Sequence, residues 1–133
     1  MKYALMIRND ALSKETALKI KEGLKDFFMY DDQNPDLVIS IGGDGTILEA
    51  VHHYLNKDCC FVGIHTGTLG FYTDYQVDQV EQFIKDVTSR EFTTMKRYLL
   101  EIKVNKKNQS EMYYALNELR LDQGLQAQVI HVY

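Results

Sequence analysis

Residues 37–50 read LVISIGGDGTILEA, and the change of pattern inside this stretch decides the fold. Leu37, Val38, Ile39, Ser40 and Ile41 are apolar nearly throughout, which suits a strand buried on both faces, as in a parallel sheet. Beyond the glycines, Ile47, Ala50, Val51, Tyr54 and Leu55 fall at i, i+3, i+4, i+7 and i+8, the stripe of an amphipathic helix. Gly42, Gly43, Asp44 and Gly45 therefore make a strand-to-helix turn. Glycines in such a turn can take positive φ and let main-chain N–H groups approach a ligand. Thr46 with Glu49 has the capping-box spacing for a helix beginning at Ile47. The turn lies beyond the C-terminal end of its strand, where open α/β sheets bind ligands, and beside a helix start that favours phosphate.

The acid in this loop is the anomaly. A Walker loop would carry a lysine, which is missing, and the glycine spacing is not that of a dinucleotide fingerprint. A carboxylate near phosphate repels it unless a divalent cation lies between them or the carboxylate has a proton to remove. Both roles belong to phosphoryl transfer, where Mg²⁺ neutralises phosphates and an aspartate accepts the proton of the attacking hydroxyl. The plainer alternative is that Asp44 only caps the helix, since Asp is favoured there, and the glycines only make a tight turn.

Working outward, Tyr3 to Ile7 is a short apolar run. After the polar patch Arg8-Asn9-Asp10, Ser13 is a candidate cap for a helix with Ala17, Ile20, Leu24, Phe27 and Phe28 on one face. Residues 31–35 are loop chemistry and include the only proline. Residues 60–64 form another buried-strand candidate, and Val77, Val80, Phe83, Ile84 and Val87 mark a further helix. From about Glu91 the pattern changes. Leu100, Ile102 and Val104 alternate with Glu101, Lys103 and Asn105, the signature of a half-exposed strand. Residues 106–110 read as a turn, and 113–116, 119–121 and 129–133 as further strands. The expected fold is α/β: a parallel-sheet, Rossmann-like domain over residues 1–92, then the first strands of an all-β second domain over 93–133.

The 133 residues are 45% hydrophobic and carry a formal net charge of −4, with Lys and Arg spread along the chain. No basic patch proposes nucleic acid, and no stretch approaches the roughly 20 apolar residues that span a bilayer. The opening MKYALMIRND reaches a charged pair too soon for a signal peptide, so cytoplasm is the expected compartment. Cys59 and Cys60 are adjacent, too close for an ordinary disulfide and without metal-knuckle spacing. They read as small apolar residues entering a strand. Unfinished sheet edges invite self-association, so a homo-oligomer is expected.

Two more clusters carry possible chemistry. Residues 63–72, GIHTGTLGFY, again combine glycines and small hydroxyls and close on Phe71 and Tyr72. In a parallel sheet this loop opens at the same end as the first, where the aromatics either stack on a flat base or simply pack in the core. His65 could bond a phosphate or ribose, or be structural, and no second group supports zinc at His52, His53 or His65. Asn117 and Glu118 place an amide and a carboxylate side by side in an apolar run. Such a pair can hold the two hydroxyls of a ribose, or be ordinary surface polarity.

Taken together, Gly42-Gly43-Asp44-Gly45-Thr46, then Gly67-Thr68-Leu69-Gly70-Phe71, then Leu116-Asn117-Glu118 resemble the NAD kinases of the bacterial type. The resemblance runs over essentially the whole chain. The first motif alone also resembles lipid kinases and phosphofructokinases; the second and third separate NAD kinases from them. The resemblance implies ATP-dependent phosphorylation of the 2′-hydroxyl of the adenosine ribose of NAD, with Mg²⁺. It implies Asp44 as catalytic base or metal-side acid and Gly42, Gly43, Gly45 and Thr46 around the ATP phosphates. Asp44, Gly45, Phe71, Tyr72, Asn117 and Glu118 would form the NAD side, with no metal ligand set evident from spacing. Members of the family carry a longer β-rich second domain with a Gly-Asp segment and a Thr/Ser/Gly-rich segment that do not occur before Tyr133, so the chain reads as a truncated form. The alternatives are a catalytically incomplete nucleotide-binding module and a lipid kinase.

Overall fold

A computed structural model describes residues 1–68, 70–116 and 118. The chain divides into two units, Met1–Met95 and a second beginning at Lys96. The first unit is a five-stranded parallel sheet with helices on both faces. Its elements are β1 (Lys2–Ile7), α1 (Ala11–Leu24), β2 (Met29–Tyr30), β3 (Leu37–Gly42), α2 (Asp44–His53), β4 (Cys60–His65), β5 (Tyr75–Gln76) and, after a single 3₁₀ turn at Val77–Gln79, α3 (Val80–Ser89). The strand order is β2-β1-β3-β4-β5, so the direction of winding reverses between β1 and β3.

β3 is the centre of this unit because nothing in it needs water. All six of its residues are buried, and it pairs in parallel with β1 from Tyr3↔Leu37 to Ile7↔Ile41 and with β4 from Leu37↔Cys60 to Gly42↔His65. Side chains alternate across a strand. Leu37, Ile39 and Ile41 accordingly pack with Ala17, Ile20 and Leu24 of α1 and Val80, Phe83 and Val87 of α3. Val38 packs on the opposite face with Ala4 of β1 and with Ala50 and Tyr54 on the α2 side. α1 and α3 also meet closely, since a β-carbon built on Gly23 would lie 2.5 Å from Ile84 Cδ1.

The helix starts differ from those read in the sequence. α1 is capped by Asp10, whose Oδ1 accepts from the Ser13 N–H at 3.0 Å. Ser13 is not the cap. It is fully buried in the first turn, and its hydroxyl meets Asp10 Oδ2 at 2.8 Å and Thr66 Oγ1 at 2.7 Å. The helix ends at Leu24, where the Leu24 carbonyl accepts from the N–H groups of Phe27 and Phe28. The expected stripe is cut short there: Phe28 reaches the core from outside the helix, while Phe27 is 62% exposed.

α2 begins three residues earlier than expected, at Asp44, with Gly43 as its cap. Thr46 is the third residue of the helix, and its Oγ1 accepts from the Gly43 N–H at 3.4 Å, so Glu49 is not part of the cap. None of the glycines among the described residues has the positive φ anticipated for this loop; Gly43 is extended, with φ −128°. What Gly42 supplies is space, because a β-carbon there would lie 2.2 Å from Thr46 Oγ1. At the start of β4, Cys59 packs against the Val38 cluster, but Cys60 is exposed rather than buried.

In the second unit, β6 (Leu100–Lys106) and β7 (Gln109–Ala115) form an antiparallel hairpin from Leu100↔Ala115 to Lys106↔Gln109. Its turn is tighter than the one expected, leaving only Lys107 and Asn108 unpaired. Most of its residues are exposed, and of Leu100, Ile102 and Val104 only Ile102 is partly covered. The strands expected at 119–121 and 129–133 lie outside the described residues.

Two outcomes follow for the first unit. Ile39→Ala removes a fully buried side chain from the central strand and should lower unfolding stability by about 3 kcal/mol, read as a lower urea midpoint with an unchanged slope. The Asp10 carboxyl is drawn from its ordinary value of 3.8 down to about 2, first by the Arg8 guanidinium and then by the Ser13 amide and hydroxyl. A carboxyl lowered on folding stabilises the fold above its unfolded value and loses that contribution as pH falls through its folded one. Asp10→Ala should therefore flatten the acid-unfolding curve between about pH 4 and pH 2, measured by circular dichroism.

Candidate functional site

Because β1, β3 and β4 run parallel, the segments leaving their C-terminal ends emerge at one end of the sheet, on either side of the point where the strand order reverses. Three of the hydrogen bonds between these segments set the arrangement. The Arg8 N–H donates to the Ile41 carbonyl at 2.9 Å, and the Thr66 N–H donates to the Gly42 carbonyl at 2.9 Å. The third joins the buried Ser13 and Thr66 hydroxyls.

The first glycine loop and the second are joined through Asp44. Its Oδ2 accepts from the Phe71 N–H at 2.9 Å and its Oδ1 from the Tyr72 N–H at 3.0 Å. The carboxylate that seemed out of place in a phosphate loop is thus balanced by two main-chain donors of the neighbouring loop, hydrogen bonds strengthened by its charge. Gly70 makes this approach possible: a β-carbon there would lie 2.4 Å from Asp44 Oδ1. The second loop is in turn fastened to β4, where the Gly63 N–H donates to Asp74 Oδ2 at 2.9 Å and the Asp74 N–H to the Gly63 carbonyl at 2.8 Å. A β-carbon on Gly63 would lie 2.9 Å from Thr73 Cα, so only glycine lets the chain return across the strand there.

The other residues singled out in the sequence fall as follows. Gly42, Gly43, Gly45 and Thr46 lie at the end of β3 and the first turn of α2. The N–H groups of Asp44 and Gly45, the first two residues of that helix, have no carbonyl partner within it. Phe71 is 92% exposed and Tyr72 half-buried, so the pair is not core packing. His65 is buried, and its Nδ1 accepts from the Gly67 N–H at 2.9 Å, which gives it a structural task in the turn. Glu118 is exposed and belongs to the second unit; Asn117 lies outside the described residues. Among the described residues no three His, Cys, Asp or Glu side chains are grouped to hold a metal ion, and no helix is long and apolar enough to cross a membrane.

One residue was overlooked in the sequence. Arg8, the first residue after β1, sends its guanidinium across the ends of β3 and β4: β-carbons built on Gly43 and Gly67 would lie 3.8 Å and 3.6 Å from Nη1. Its Nε donates to Asp10 Oδ2 at 2.7 Å and its Nη2 to the Thr66 carbonyl at 3.5 Å. The signal available was its position. A basic residue directly after a buried run stands at the ligand-binding end of a parallel sheet, a signal that the neighbouring Asn9 and Asp10 disguise as a plain polar patch.

The topology and these loops define a doubly wound α/β domain with a glycine-acid loop at its switch point. The family model for the ATP-NAD kinase N-terminal domain matches residues 5–92. An NAD kinase of Lysinibacillus sphaericus is 44% identical over 122 residues, which cover 89% of this chain and 46% of that protein. An NAD kinase 1 of Bacillus anthracis is 42% identical over 123 residues with the same coverage. The fold matches the crystal structure of yeast NADH kinase complexed with NADH, with a TM-score of 0.74 over 88% of this chain and 47% of that one, at 19% identity. The chain belongs to the NAD kinase family. It spans about half the length of the relatives it matches.

The link between the loops can be tested directly. Asp44→Ala and Gly70→Ala should each speed amide hydrogen exchange at Phe71 and Tyr72 by about tenfold, the equivalent of one lost charge-assisted hydrogen bond, as read by NMR. Asp44→Asn keeps one acceptor oxygen and should deprotect mainly one of the two amides.

Proposed function

We propose that the protein to which this chain belongs transfers the γ-phosphoryl group of ATP to the 2′-hydroxyl of the adenosine ribose of NAD, giving NADP and ADP. The observation that carries the reading is the meeting of two loops at Asp44: the acid of the first accepts two main-chain hydrogen bonds from the second. In this reading Gly42, Gly43, Gly45 and Thr46 surround the phosphates, where the first N–H groups of α2 face outward. Phe71 and Tyr72 flank the adenine of NAD, and Asn117 and Glu118 hold its ribose. Asp44 takes the proton of the 2′-hydroxyl as the new P–O bond forms and the bond to ADP breaks. Each of its oxygens accepts one main-chain N–H and keeps a second lone pair, on which the proton can be received.

A divalent cation suits this donor chemistry in one way. Asp44 is the carboxylate of this loop that would stand beside Mg²⁺. When bound it would neutralise phosphate charge. We place the reaction in the cytoplasm. The exposed Leu100, Met112 and Tyr113 of the hairpin support the homo-oligomer expected from the sequence.

A coupled assay for NADP formation from NAD, ATP and Mg²⁺ tests the proposal. Asp44→Asn should lower turnover by roughly a hundredfold or more, the usual contribution of a general base, and a chelator should abolish it. Undiminished turnover in Asp44→Asn would remove Asp44 as the base. Binding of NAD or ATP without turnover would favour the alternative of a nucleotide-binding module for this chain.

A further inference from the structure

We infer that Arg8 is the phosphate-binding cation of this site, standing in for the lysine that the glycine loop lacks. The inference rests on the reading of that loop as the phosphate side of the proposed kinase. Three observations point to it. Arg8 leaves β1 at the reversal of strand order and is pinned there by its own main chain, which donates to Ile41 at 2.9 Å. Its guanidinium is oriented by Asp10, which holds Nε at 2.7 Å. Nη1, which β-carbons built on Gly43 and Gly67 would approach to 3.8 Å and 3.6 Å, makes no hydrogen bond to any described residue, and the side chain is 45% exposed.

The structural ties of Arg8 use Nε, to Asp10, and Nη2, to the Thr66 carbonyl at 3.5 Å, and leave Nη1 over. Asp10 is already engaged by the Ser13 amide and hydroxyl when it caps α1, and an exposed ion pair adds little to stability. What the pair does achieve is direction. A guanidinium fixed at Nε and tied through Nη2 to the Thr66 carbonyl presents Nη1 and the remaining Nη2 N–H as a planar edge, the geometry that matches phosphate oxygens. The two carboxylates nearby do not cancel this. Asp10 sits on the Nε side of the fork, and Asp44 is turned into the main chain of Phe71 and Tyr72. Glycine at 43 and 67 keeps the approach to Nη1 free of side chains. Arg8 is thus a binding residue for the donor's phosphate chain, and Asp10 its positioning partner.

Isothermal titration of the full chain with ATP and, separately, with adenosine tests this. Arg8→Ala should weaken ATP binding about tenfold or more and leave adenosine binding nearly unchanged. Arg8→Gln, which keeps a hydrogen-bond donor for Asp10 but no charge, should behave like Arg8→Ala and guards against a folding artefact. Arg8→Lys should recover only part of the loss. ATP affinity within about twofold of wild type in both Arg8→Ala and Arg8→Gln would overturn the assignment, as would an equal loss for adenosine. A wild-type chain that binds neither ATP nor NAD would instead overturn the kinase reading, and this assignment with it.

Discussion

Because β3 pairs in parallel with β1 on one edge and with β4 on the other, the chain must leave all three strands at the same end of the sheet. A strand with six buried residues cannot be displaced without exposing apolar surface on both faces, so this arrangement is costly to alter. Arg8, the Gly42–Thr46 turn and the loop after His65 are neighbours for that reason alone. The reversal of strand order between β1 and β3 opens the crevice between them, since α1 and α2 are drawn to opposite faces.

Within that crevice the electrostatics are settled by main chain as much as by side chains. Asp44 would be an unfavourable neighbour for phosphate if its charge were uncompensated. The Phe71 and Tyr72 amides, donated from the loop after β4, offset it. Asp10 plays a comparable double part, capping α1 through Ser13 while holding Arg8. Neither carboxylate is idle: Asp44 links the start of α2 to the loop after β4, and Asp10 links the start of α1 to Arg8, just after β1. Glycines at 42, 63 and 70 serve by the volume they leave empty rather than by unusual backbone angles.

Much of the architecture was legible in residue pattern. The buried run at 37–41, the helical stripes of α2 and α3 and the alternation at 100–104 gave the element types, because each depends on periodicity along a single segment. Boundaries and caps were less so. Asp10 displaced Ser13 as the cap of α1 because Ser13 is drawn into the buried bond with Thr66, 53 residues away. Gly43 displaced Thr46 because the threonine hydroxyl is spent on the Gly43 amide. The two-residue strands β2 and β5 have too little length to carry a periodic signal and exist only through pairing with β1 and β4.

The sequence by itself determined that a parallel strand would end in a glycine-acid turn opening a helix, that a second glycine loop would follow the next strand, and that a hairpin would come after both. Those are local matters, governed by side-chain period and by the few residues that tolerate a turn. Only the tertiary structure decided that the acid of the first loop is held by the backbone of the second and that the arginine just after β1 stands beside the glycines of both. Hydrogen bonds between segments some 27 residues apart, such as Phe71 to Asp44, form only when strand order brings the segments together, and no spacing within either segment records that order.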